Sequence, residues 1–74
     1  MRSPMLAESR GHLEGQVVRR IGNRIHDLRI LVRPGGLVLK GRTGTYHAKQ
    51  LAQHAAMDLA GMRVLANDIE VCPA

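Results

Sequence analysis

Pro34-Gly35-Gly36 stands between two runs of alternating aliphatic residues, and no other feature restricts the fold of this chain as strongly. Proline presets φ and the glycines accept positive φ, so the tripeptide is turn chemistry. Before it, Leu28, Ile30 and Val32 alternate with Arg29, Leu31 and Arg33; after it, Leu37 and Leu39 alternate with Val38, Lys40 and Arg42. A period of two with a turn in its middle predicts an antiparallel hairpin with one buried face.

The flanking segments change period. Leu13, Val17 and Ile21 recur four apart, with Arg19, Arg20 and Arg24 on other faces, which predicts an amphipathic helix over about 10–22 that Gly22-Asn23 ends. After the hairpin, Thr43-Gly44-Thr45 offers hydroxyl caps, and a second helix follows over about 45–60. Ala48, Leu51, Ala52, Ala55 and Leu59 share its apolar stripe, and Gly61 ends it. Leu65, Asn67, Ile69 and Val71 then alternate with Ala66, Asp68 and Glu70 as a third strand, its inward side taken to be the one bearing Leu65 and Asn67.

The expected class is α+β in the order α-β-β-α-β, with two helices on one face of a three-stranded mixed sheet. Leu37-Val38-Leu39 favours the second strand as the central one. Residues 1–10 read as a flexible lead-in and residues 11–72 as a single domain. Asn67, on the inward side, needs partners for its amide and is expected to bond nearby backbone and fix register.

At 74 residues the chain holds one domain. A chain of this size buries only about 60% of its unfolded surface, so association with a further surface is expected. The lone Cys72 excludes an internal disulfide and a zinc knuckle. His47 and His54 lie two helical turns apart, roughly 10.5 Å along the axis, too far to share one ion. No nucleophile-base pairing or carboxylate pair stands out, which argues against an enzyme and leaves no metal, cofactor or small-molecule substrate expected. With no apolar run of signal-peptide or membrane-span length, the chain as written reads as cytoplasmic; a missing leader would move it to the envelope or periplasm.

Gly35-x-Leu37-x-Leu39-x-Gly41, followed by Gly61-Met62-x-x-Leu65-x-Asn67-x-Ile69-x-Val71, resembles the BON domain, a module named for bacterial osmotic-shock and nodulation proteins. The likeness spans about residues 12–72, with Gly35, Gly41, Gly61 and Asn67 as its structural positions. It implies the same α-β-β-α-β fold and a binding module without catalytic residues. It also implies an envelope setting, often in tandem or fused copies, and association of some members with anionic phospholipid.

Charge sets the candidate surfaces. Residues 1–42 carry nine basic and three acidic side chains, residues 43–74 two and three. Arg19, Arg20, Arg24, Arg29, Arg33, Lys40 and Arg42 form a basic set that would meet an anionic membrane surface if they converged, and would otherwise solvate ordinary faces. Leu31, Val38 and Ala66 would form the apolar centre of the sheet face left bare by the helices, suited to a second copy or another protein. The alternative is a small protein that binds a nucleic-acid backbone through its basic half and a Gly41-Arg42-Thr43-Gly44 loop, a GxxG like that of KH domains. Tyr46 is the only aromatic side chain, poor equipment for base stacking, so nucleic acid ranks behind protein and lipid.

Overall fold

A computed structural model describes residues 5–73, with side chains from His12 onward. The elements are α1 (Met5–Ile21), β1 (His26–Arg33), β2 (Gly36–Thr43), α2 (Tyr46–Ala60) and β3 (Val64–Val71). The class is α+β, in the expected order. The strands lie in the order β1-β2-β3, with β1 antiparallel and β3 parallel to β2, so the sheet is mixed and β2 central.

Helix α1 begins at Met5, well before the expected start near residue 10; residues 1–4 of the expected lead-in lie outside the described residues. At its other end the Gly22 N–H donates to the Val18 carbonyl at 2.7 Å, and Arg24 Nε donates to the Ile21 carbonyl at 2.6 Å. Arg19 and Arg20 occupy the last turn, where cations suit the dipole. Helix α2 is bounded as its sequence suggests. Thr45 Oγ1 accepts the Ala48 N–H at 3.1 Å, and the left-handed Gly61 donates its N–H to Met57. Thr43 is no cap: it is buried at the end of β2, and its hydroxyl donates to the Arg24 carbonyl at 2.8 Å.

Both helices pack on one face of the sheet. Leu13, Val17 and Ile21 of α1 and Ala48, Ala52, Ala55 and Ala56 of α2 enclose Ile30, Leu37, Leu39 and Ile69, with Ile25 closing one end. The small α2 side chains let the helix lie close over the strands. Gly41 is needed for a similar reason: a Cβ there would stand 2.8 Å from Ile25 Cγ2 and 3.0 Å from the His26 carbonyl. The space it leaves is used by a bulge in β1, where register slips between His26 and Arg29 and Asp27 adopts φ 56°.

Two expectations are corrected here. Leu65 does not face the core. Leu37 pairs with Val64 and Val38 with Ala66, so Leu65 is a bulged residue with no partner and is 47% exposed. Val64 takes the inward place instead, packed against the core. Val32, inward by alternation, is 51% exposed and contributes little to the core.

Asn67 lies on the helix side, half-buried. Its Nδ2 donates to the Lys49 carbonyl at 3.2 Å and to Gln53 Oε1 at 3.1 Å, while its Oδ1 accepts the Ile69 N–H at 3.2 Å. One amide thus ties β3 to α2 and occupies a backbone donor of β3.

Candidate functional site

The side chains on the bare sheet face follow from the register. Leu31, Val38 and Ala66 stand side by side across β1, β2 and β3 and are all half-buried. The next row is Arg29, Lys40 and Asp68, and the row after it pairs Arg42 with Glu70; these charged residues are exposed. At the opposite end Arg33 pairs with Gly36 beside the turn that Gly35 makes with φ 92°. No described element covers this face.

Leu65 enlarges the apolar row. Gly36 is an open-face position, and a Cβ on it would stand 2.9 Å from Leu65 Cγ and 2.5 Å from the Arg63 carbonyl oxygen. Leu65 therefore lies over the bare glycine on the same side as Leu31, Val38 and Ala66. Alternation alone misses this, because a single bulge reverses the facing of everything before it.

Electrostatically the face is mixed. A shallow depression of about 530 Å³ is lined by Asp27, Arg29, Lys40, Gly41, Arg42, Asp68 and Glu70. Asp27, which the β1 bulge turns toward it, pairs with Arg42 at 3.1 Å. Arg29, Lys40, Asp68 and Glu70 form no ion pair with another described residue. The cations belong to β1 and β2 and the unpaired carboxylates to β3, so the face is polarised across its strands.

The basic set does not converge. Arg29, Lys40 and Arg42 lie on the sheet face, with Arg33 at the hairpin end. Arg20 and Arg24 instead line a groove of about 250 Å³ between the end of α1 and α2, together with Ile21, Leu51, His54, Ala55 and Asp58. There Arg20 pairs with Asp58 at 3.2 Å, both side chains well exposed. Arg19 is exposed on α1. The sequence-defined set is thus two groups, one in the helical layer and one on the sheet.

Gly41-Arg42-Thr43-Gly44 is no loop: its first three residues are the end of β2, and Thr43 is buried. A backbone clamp of the KH kind has no counterpart at this position. Cys72 is an exposed free thiol beside His26, Arg42, Thr43 and Gly44. Among the described residues no group of three or more His, Cys, Asp or Glu could hold a metal ion, and no helix is long and apolar enough to cross a membrane. Comparison with protein-family models, curated proteins and solved structures finds no match.

Proposed function

We propose that the chain is a non-catalytic interaction module that docks onto a protein surface through the open face of its sheet. The observation that carries this reading is the apolar row Leu31, Val38 and Ala66, extended by Leu65, which crosses all three strands and is bordered by charges of both signs. An apolar centre with a polar rim is the ordinary anatomy of a protein interface. The BON resemblance, with its implication of a binding module, agrees with this assignment.

Charge ranks the partners. A membrane or nucleic-acid backbone presents phosphates of one sign, and on the sheet it would meet Asp27, Asp68 and Glu70 beside Arg29, Lys40 and Arg42. In the helical layer Arg20 is engaged by Asp58 and Arg24 by the Ile21 carbonyl. A protein surface of mixed charge suits this face better than a polyanion.

A photo-crosslinking residue at position 38, used in cells that make the chain, should give protein adducts that the same residue at exposed Met57 does not. Equal labelling at the two positions would remove the reading. So would salt-sensitive co-sedimentation with anionic vesicles that the Arg29→Glu, Lys40→Glu double variant abolishes, because it would make the sheet a polyanion site.

A further inference from the structure

We infer that the groove between the end of α1 and α2 binds the C-terminal residue of a partner polypeptide, with its α-carboxylate on Arg24 and Arg20 and an aliphatic side chain on the groove floor. The site lies in the helical layer and does not depend on the open sheet face.

The floor is apolar and firm. Buried Ile21 and Ala55 belong to the core, and half-buried Leu51 packs against it. Arg20, Arg24, His54 and Asp58 form the rim, all exposed. Two guanidiniums against one carboxylate leave the rim cationic even with the imidazole neutral. An anion with an aliphatic body complements both parts.

The guanidiniums are placed for such a ligand. Arg24 Nε is fixed on the Ile21 carbonyl at 2.6 Å, which sets the plane of the group, and its two terminal nitrogens have no hydrogen-bond partner among the described residues. That end-on pair is a fork a carboxylate accepts bidentately. Arg20 uses Nη1 alone, on Asp58 at 3.2 Å, and keeps Nε and Nη2. The end of a helix ordinarily repels anions, because its last carbonyls carry partial negative charge. Here the carbonyls of Val18, Ile21, Gly22 and Arg24 each accept a hydrogen bond already, from the Gly22 N–H, Arg24 Nε, the Arg24 N–H and the Thr43 hydroxyl. The negative end of α1 is thereby covered, at Ile21 by a cation.

Size and wall chemistry select a chain terminus. At about 250 Å³ the groove is smaller than the ~300 Å³ lower bound of small-molecule pockets, and its exposed rim leaves it open, so one residue fits where a larger ligand would stay in water. A segment crossing the groove would bring peptide N–H and C=O groups against two helices whose main chain is bonded internally, leaving those groups unpaired. In a terminal residue the carboxylate and side chain share one Cα, so charge and apolar body arrive together.

The test is titration of the isotopically labelled protein with N-acetyl-leucine, read by NMR at the backbone amides and the arginine Nε–H groups. Saturable shifts are expected at Ile21, Arg24, Leu51 and Ala55, with a Kd on the order of 1 mM for so small a probe. N-acetyl-leucinamide lacks the charge and acetate lacks the body; each should bind at least about tenfold more weakly. Arg24→Gln should weaken binding at least ~fivefold. Asp58→Asn frees Arg20 and removes the rim carboxylate, so it should strengthen binding ~2–5-fold, a gain that a misfolded variant could not show. Equal shifts from acid and amide, shifts scattered outside the groove, or an unaffected Arg24→Gln overturn the inference. So do three competing occupants: octanoate binding more tightly than N-acetyl-leucine, inorganic phosphate displacing it at equal concentration, or an amidated peptide with an internal glutamate matching it.

Discussion

Gly36→Ala tests the bulge that places Leu65 on the open face. The added methyl would stand 2.5 Å from the Arg63 carbonyl oxygen and 2.9 Å from Leu65 Cγ. Neither neighbour yields freely. The same carbonyl accepts the Leu37 N–H at 2.9 Å, the first bond between β2 and the start of β3. To admit a methyl, the strand must withdraw and that bond must stretch. Overpacking costs about 1–3 kcal/mol, and a lost backbone hydrogen bond adds about 0.5–1.5 kcal/mol. A loss of about 2–4 kcal/mol is expected, against a total stability of roughly 4–11 kcal/mol for a domain of this length. Urea unfolding followed by circular dichroism reads it directly, as a midpoint lowered by about 2 M or more at a slope near 1 kcal/mol/M. Leu65→Ser provides the second arm. An exposed bulge residue should cost under about 1 kcal/mol, whereas a core leucine truncated this far costs about 2–5 kcal/mol. A tolerated Gly36→Ala together with a damaging Leu65→Ser would mean that β3 enters the sheet without a bulge and that Leu65 is inside.

Other outcomes follow from the same contacts. Asn67→Ala removes the tie between β3 and α2 and should cost about 1–3 kcal/mol in the same unfolding assay; a change below 0.5 kcal/mol on the ~1 kcal/mol scale of one such bond would show that its bonds are exchanged for water without loss. Leu39→Ala empties a fully buried central position and should cost about 3–5 kcal/mol by calorimetry or urea. Gly15→Ala lies within α1 with open space around its Cβ, so the thermal midpoint should rise, with a gain of about 0.5–1 kcal/mol. A double-mutant cycle on Arg20 and Asp58, whose side chains are 48% and 74% exposed, should return a coupling below about 0.5 kcal/mol.

The elements were legible because each carries its own period. Leu13, Val17 and Ile21 spell a helix face, and Leu28 to Val32 a strand, whatever they pack against. The open face was largely legible for the same reason: once the inward residues are chosen, Arg29, Leu31, Val38, Lys40, Arg42, Ala66, Asp68 and Glu70 fall on the other side. What alternation could not carry was any break in its own count. Both bulges are such breaks. One brings Asp27 to Arg42, and the other takes Leu65 out of the core; each depends on backbone contacts across strands that no single segment encodes. Convergence of the arginines was equally illegible, since it depends on which layer each element joins. Glu14 gave no sign of its role either, because its partner is a main-chain N–H sixteen residues away.

The alanine face of α2 has a consequence for how the protein tolerates change. Ala48, Ala52, Ala55 and Ala56 are nearly inaccessible, and their methyl groups form the centre of a face that Leu51 and Leu59 border. Such positions have little volume to lose and no room to gain it, so Ala52→Val or Ala56→Leu would wedge α2 off the sheet, at a cost of about 1–3 kcal/mol. On α1 the asymmetry is reversed: Leu13, Val17 and Ile21 supply volume, and shortening them is the damaging direction. Drift in this sequence should therefore keep α2 small while exchanging one aliphatic residue for another along α1. Library selection for folded variants would reveal the two helices as opposite constraints on the same core.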